Sequence, residues 1–283
     1  MTVAYLDGEF QQLEDIRISP LDRGFLFADG VYEVIPVYSG RLFRADAHLQ
    51  RLERSLAAIR IEDPLGRDGW HALVEELAER NGGGYQALYL QVTRGAAPRD
   101  HAFPAGVSPT VFAMTRAIDA DPHSPALHAV IRPDIRWSRC DIKSVALLGN
   151  VLLRQEAQDA GASEAIMIRD GVLTEGTATN VFVVGGDGLR TPPKSAHILG
   201  GITRDLLIDL CHGADIDCGE EPITETELRG AEEIWVTSST REVAPVVRLG
   251  GDPVGAGVPG PQWQRVHGLF QDFKRRLVRG DVD

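Results

Sequence analysis

Cys140-Asp141-Ile142-Lys143-Ser144, followed at once by Val145-Ala146-Leu147-Leu148-Gly149-Asn150-Val151-Leu152-Leu153, is the stretch on which the reading of this chain turns. It sets a lysine between a predicted strand, Leu127 to Ile135, and an apolar run that continues as a helix to about Ala160. Lysine is rare here: of 29 Lys and Arg residues only three, Lys143, Lys194 and Lys274, are lysine. Arginine stays protonated near neutrality, so it offers neither an imine-forming amine nor a general base. Lys194 follows Pro192-Pro193 in an expected exposed turn, and Lys274 sits in Lys274-Arg275-Arg276 near the end of a terminal helix, so both read as solvated. Lys143 is the amine that burial could free as a nucleophile, although a lysine at such a junction is more often structural.

Composition narrows the function classes. A chain of 283 residues is long enough for two lobes, and 43% hydrophobic with 25% charged residues is ordinary for a globular protein. A net charge of −12 argues against a nucleic-acid backbone or an anionic membrane as partner. Cys140, Cys211 and Cys218 form no CxxC pair, so neither a disulfide framework nor a cysteine zinc site is expected. The histidines show no HExxH spacing and the serines no GxSxG elbow, leaving metal hydrolysis and triad chemistry without support. Reduced thiols and the lack of a leader-like or membrane-spanning run give a cytoplasmic reading.

Working outward, the first lobe opens with a hairpin turning at Asp7-Gly8, then a second one turning at Ser39-Gly40 between Tyr32 to Tyr38 and Arg41 to Phe43. Asp46 can cap a helix whose apolar stripe is Leu49, Leu52, Leu56 and Ile59, which directs His48 and Arg51 elsewhere. A helix from Trp70 to Glu79 and strands Tyr85 to Thr93 and Pro109 to Thr115 follow. Two prolines and two acids without periodicity mark 117–126 as a linker between domains 1–116 and 127–283. The second lobe continues with strands at Glu164 to Ile168, Asn180 to Val184 and Ile234 to Thr237, a helix opening at Thr203, and a terminal helix from about Pro261. Strand and helix are mixed without the alternation of a doubly wound sheet.

Four further stretches carry chemistry. Gly200-Gly201-Ile202-Thr203-Arg204-Asp205 puts glycines before a helix start, where backbone N–H groups suit a phosphate as well as an ordinary turn. Thr237-Ser238-Ser239-Thr240 offers hydroxyls at a strand end. Glu175 lies among small polar residues, Thr174-Glu175-Gly176-Thr177, either as a cap in a turn or as a buried carboxylate able to hold a proton on a pyridine nitrogen. Pro98-Arg99-Asp100-His101 gathers two potential cations that would suit a substrate carboxylate.

These stretches together with Asp22-Arg23-Gly24, Asp29-Gly30-Val31-Tyr32-Glu33-Val34, Val92-Thr93-Arg94-Gly95 and Val236-Thr237-Ser238 resemble, in order and spacing over nearly the whole chain, the fold-type IV pyridoxal-phosphate enzymes, most closely the D-amino-acid transaminases. The resemblance implies an α/β (α+β) fold with a small N-terminal α/β domain and a larger C-terminal pseudo-barrel domain. It implies pyridoxal 5'-phosphate held by Lys143 as an aldimine, with Glu175 on the pyridine nitrogen. Arg51, the Ile202 and Thr203 backbone and Ser239 would hold the phosphate, Ser238 would also bind the cofactor, and Leu199 would pack on the ring. Tyr32, Arg99 and His101 would trap the substrate carboxylate, the last two from the partner in a homodimer. The implied reaction moves the amino group of a D-amino acid, of the D-alanine or D-glutamate type, to a 2-oxo acid such as 2-oxoglutarate or pyruvate.

Many relatives read Lys-Ser-Leu-Asn-Leu-Leu at the lysine, where this chain has Ala146 in place of the amide. Within the fold type the alternatives are branched-chain L-amino-acid transaminases, (R)-amine transaminases and 4-amino-4-deoxychorismate lyase. The Arg99/His101 pair favours the D-amino-acid reading over them.

Overall fold

The structure, a computed structural model, describes residues 2–119 and 126–282. The chain divides into two compact units, Met1–Ala120 with Ile142–Ala146 and Arg276–Asp283, and Asp121–Asp141 with Leu147–Arg275. Of the expected linker at 117–126, residues 120–125 lie outside the described residues.

In the first unit the elements are β1 (Val3–Leu6), β2 (Glu9–Gln12), α1 (Arg23–Phe27), β3 (Gly30–Tyr38), β4 (Arg41–Leu42), α2 (Ala45–Ala58), α3 (Gly66–Arg80), β5 (Gln86–Thr93) and β6 (Thr110–Ala117). The strands pair antiparallel in the order β2-β1-β6-β5-β3-β4. Both expected hairpin turns have positive φ at their two central residues, 48° and 105° at Asp7-Gly8 and 50° and 79° at Ser39-Gly40, which matches the twist of the flanking strands. Along β3, Val31, Glu33, Ile35 and Val37 all point inward, with Tyr32 and Val34 on the opposite face. Leu49, Leu52 and Leu56 of α2 and Leu73, Val74 and Leu77 of α3 close over that face. Truncating one of these fully buried side chains, such as Leu52→Ala, costs about 2–5 kcal/mol.

The second unit holds β7 (Leu127–Pro133), α4 (Leu148–Asp159), β8 (Glu164–Arg169), β9 (Val172–Gly176), β10 (Asn180–Gly185), β11 (Gly188–Thr191), α5 (Ile202–Gly213), β12 (Cys218–Glu220), α6 (Glu225–Arg229), β13 (Glu233–Ser238), β14 (Glu242–Leu249), β15 (Asp252–Pro253) and most of α7 (Pro261–Arg279). Its curled sheet runs β12-β11-β10-β13-β14-β7-β8-β9, with β15 paired to β14. β7 and β8 are parallel neighbours joined through α4. The expected mixed α/β (α+β) fold is therefore present, and its two sheets differ: one is wholly antiparallel and the other mixed.

Four local expectations change. Asp46, expected as a cap, lies within the first turn of α2, because the chain enters that helix earlier, through Arg44 in the left-handed conformation, which makes no side-chain cap bond. Helix α5 starts at Ile202 with Gly201 as its cap, before the expected Thr203, because the Asp205 N–H already bonds the Gly201 carbonyl. Glu175 lies inside strand β9, so it is no turn cap. Lys274, read as solvated, is buried with its Nζ 2.8 Å from Glu242 Oε1, because the turn of α7 that carries it faces β14. Among the described residues no helix is long and apolar enough to cross a membrane.

Candidate active site

In the first unit, residues 142–146 form a short crosspiece tied to the end of β3. The Tyr32 N–H donates to the Lys143 carbonyl at 3.0 Å, the Val145 N–H donates to the Gly30 carbonyl at 3.0 Å, and Ser144 bridges to Val31. Ile142 is buried in the core and the Lys143 N–H reaches Ser55 Oγ on α2 at 3.4 Å. So anchored, the half-buried Lys143 places its Nζ 4.1 Å from the centre of the Tyr32 ring. Among the described residues its amine has no carboxylate partner. The other two lysines differ: Lys194 pairs with Asp205 at 2.7 Å and Lys274 with Glu242. Behind Tyr32, Tyr89 stacks at 5.7 Å, and burial raises its hydroxyl to about 12.

One residue along β3, on its inner face, Glu33 meets α2. Arg51 grips its carboxylate through Nε at 2.7 Å and Nη2 at 2.8 Å, and His48 Nδ1 lies 2.8 Å from Oε2. All three are buried. Burial would raise the Glu33 carboxyl, but Arg51 and His48 win and hold it far below the usual carboxylate range. Burial, with Arg51 and Lys143 nearby, keeps His48 below its ordinary value, and His48 Nε2 has no partner among the described residues.

Arg99 and His101 lie in the exposed connection from β5 to β6. The Arg99 guanidinium sits 5.1 Å from the Phe27 ring and the His101 ring 5.3 Å from it. Their shared neighbour is thus Phe27, whereas Tyr32 accompanies Lys143.

In the second unit Glu175 is 5% exposed. Its Oε1 accepts a short contact from Arg136 Nη1, while its Oε2 accepts from the Leu199 N–H at 2.9 Å and from Asn180 Nδ2 at 3.2 Å. Asn180 also donates to the Leu199 carbonyl at 2.8 Å, fixing the backbone at Leu199. Arg136 gives its other edge to Asp134, at 2.9 and 2.8 Å, and Arg169 lies 3.2 Å from the same carboxylate. Burial dominates at Glu175 and pushes its carboxyl up, although Arg136 pulls the other way.

Beside this cluster α5 opens at Gly201, where a Cβ would fall 2.0 Å from Asn180 Oδ1, so only glycine fits. Gly201 provides no side-chain cap, which leaves the first-turn N–H groups at the buried Ile202 and Thr203 free of one. Helix α5 packs on β13, whose Thr237 Oγ1 is buried without a partner among the described residues. Ser238 Oγ accepts from the Arg241 N–H at 3.1 Å, and Ser239 is half-buried in the same turn.

Hydropathy alone does not single out the partners His48, Asp134 and Arg136. A signal exists for each cluster. Glu33 occupies an inward position in an otherwise apolar alternation, which demands a buried cation. Asp134-Ile135-Arg136-Trp137 alternates in reverse, with Ile135 and Trp137 exposed and the charged side chains inside.

The family model for class IV amino-transferases matches residues 30–249. The chain is 41% identical over 268 residues to the D-alanine aminotransferase of Bacillus licheniformis, covering 94% of this chain and 95% of that one. It is 37% identical over 276 residues to the D-alanine aminotransferase of Staphylococcus haemolyticus, covering 96% and 98%. In fold it is similar to the branched-chain amino acid aminotransferase of Escherichia coli, with a TM-score of 0.90 at 24% identity over 95% of this chain and 93% of that one. Matched over most of its length by the family model and by close relatives, this chain belongs to the class IV amino-transferases.

Proposed function

We propose that this protein is a pyridoxal-phosphate-dependent transaminase that transfers the amino group of a D-amino acid, of the D-alanine or D-glutamate type, to a 2-oxo acid such as 2-oxoglutarate or pyruvate. The observation that carries this reading is the contrast among the three lysines: two amines are neutralised by carboxylates, and the third, Lys143, is not. The residues fit the cofactor at their unsatisfied groups, namely the uncapped start of α5 and the orphaned Thr237 hydroxyl.

When bound, pyridoxal phosphate supplies a conjugated ring that takes up the electrons released at the substrate α-carbon. Lys143 binds the cofactor through its amine and moves the proton at that carbon. Glu175, oriented by Arg136, Asn180 and the Leu199 N–H, holds a proton at the pyridine nitrogen. The N–H groups at Ile202 and Thr203, the hydroxyls of Ser238 and Ser239, and Arg51 would hold the phosphate. Leu199 would pack against the ring. Tyr32, Arg99 and His101 bind the substrate carboxylate, with Arg99 and His101 reaching the site of a second copy in a homodimer. Ile18, Leu21, Phe25 and Phe103 of the first unit and Ile135, Trp137, Leu148, Val151 and Leu152 of the second are exposed apolar side chains of the kind that a homodimer interface covers. The free thiols Cys140, Cys211 and Cys218 suit the cytoplasm.

The test is amino transfer to 2-oxoglutarate from D-alanine, L-alanine and L-leucine in separate assays. Activity with D-alanine and none with the L-amino acids is expected. Activity with L-leucine alone overturns the stereochemical assignment and moves the protein to the branched-chain type.

A further inference from the structure

The connection from Arg94 to Pro109 has no helix or ladder strand and exceeds the roughly 12–15 residues beyond which structureless loops are uncommon. A long polar loop carrying Arg99 and His101 needs something to hold it still, and its base and its middle are held differently. At the base, the Arg23 N–H donates to the Gly95 carbonyl at 2.9 Å, the Ala97 N–H to the Leu21 carbonyl at 3.2 Å, and Asp22 bridges to Ala96. In the middle, the Arg23 guanidinium spans three consecutive carbonyls: Nη1 donates to Asp100 at 2.5 Å and to Ala102 at 3.4 Å, and Nη2 to His101 at 3.4 Å.

Arg23 is itself rigid. It is 3% exposed, and its Nε donates to Asp29 Oδ2 at 2.8 Å. Asp29 is also gripped by Arg94 through Nε at 2.8 Å and Nη2 at 3.0 Å. Arg94 lies 3.6 Å from the Phe103 ring and so pins the far side of the same loop. Four residues after Arg23, Phe27 closes the one-turn helix α1, and three groups surround its ring: Arg23 at 4.8 Å, Arg99 at 5.1 Å and the His101 ring at 5.3 Å. The backbone of 100–102 is thus set by one buried guanidinium, and the side chains of Arg99 and His101 rest on a single ring from the same helix turn. A lysine at position 23 would keep the charge beside Asp29 but lose the planar fork that reaches several acceptors at once.

We propose that Arg23 is a positioning residue for substrate-carboxylate binding, fixing the 99–102 segment through its carbonyls and, with Phe27, the direction of Arg99 and His101; this rests on the assignment of Arg99 and His101 to the substrate carboxylate made above. Arg23 touches neither substrate nor cofactor and acts through the loop.

The experiment uses the pyridoxal-phosphate-loaded full chain and compares Arg23→Lys, Phe27→Leu and Arg99→Ala with the parent. For R23K, KM for D-alanine and for 2-oxoglutarate rises about tenfold or more, the scale of losing charge-assisted hydrogen bonds, while kcat at saturation stays within about twofold. Amide hydrogen exchange at 99–103 speeds up in R23K, whereas R99A raises KM with the loop's exchange unchanged, and cofactor affinity is the same in all three. Unchanged KM and unchanged exchange in R23K, with KM raised in R99A, overturns the positioning role and leaves the carboxylate assignment standing. Unchanged KM in R99A overturns that assignment and the proposal with it. Should R23K fail to fold, F27L carries the decision: a rise in KM without loss of kcat supports the proposal, and an unchanged KM overturns it.

Discussion

Glu33 and Glu175 are both buried carboxylates facing an arginine, yet they are driven in opposite directions, Glu33 far down and Glu175 up. The difference lies in how the guanidinium is shared. Arg51 presents a two-point edge to Glu33, and His48 adds a third contact, so the anion is stabilised beyond the cost of its burial. Arg136 gives its two-point edge to Asp134 and only one N–H to Glu175, so much of its charge is already spoken for and burial prevails. One cluster is a locked anion that fastens α2 to β3. The other is a carboxylate that burial makes the better proton acceptor, a property suited to the role proposed for it of holding a proton at a ring nitrogen.

The largest effect expected from this contrast is on stability at Glu33. Glu33→Gln leaves Arg51 buried without its anion and destabilises the protein by about 3–5 kcal/mol, read by denaturant unfolding of the loaded protein. Glu175→Gln should instead be a functional lesion: Arg136 keeps Asp134, so unfolding free energy changes by about 1 kcal/mol or less, while kcat falls roughly 100-fold or more. Finding the two losses exchanged would erase the distinction between the clusters.

Acidity sharpens the contrast with opposite signs. The folded Glu33 carboxyl lies below its ordinary value of 4.5, so its contribution is complete above that pH and is lost as pH falls through the folded value. The stability gap between the parent and E33Q therefore narrows on acidification below about 4.5. The folded Glu175 carboxyl lies above 4.5, so its contribution is complete below that pH and is lost as pH rises through the folded value. E175Q accordingly gains on the parent as pH rises, and the two variants should diverge in unfolding curves taken across the acid range. The smallest effect is at Asp134: Asp134→Asn releases Arg136 toward Glu175 and lowers the Glu175 carboxyl, seen as a shift of its carboxyl resonance or infrared band to lower pH. An upward shift would show that Asp134 is not competing for Arg136.

What could be read from the residues alone follows from where the partners lie. The two hairpins, the stripe of α2, the presence of α3 and the strands around Lys143 were legible because each pattern is complete within one element. Lys143 stood out because lysines are scarce and the other two are flanked by proline or by further cations. The clusters were not, because each joins separate elements: Glu33 to Arg51 across β3 and α2, and Arg136 to Glu175 across the segment after β7 and strand β9. Lys274 misled for the same reason, since the basic run around it says nothing of Glu242 on β14.

The central claim, that Lys143 is the residue binding the cofactor, is tested most directly by reducing the pyridoxal-phosphate-treated protein with borohydride and mapping the modified peptide by mass spectrometry. With three lysines in the chain the result is unambiguous. A phosphopyridoxyl group on the peptide containing Lys143, absent in Lys143→Ala together with transaminase activity, is the expected outcome. Label on Lys194 or Lys274, or an active K143A variant, contradicts it.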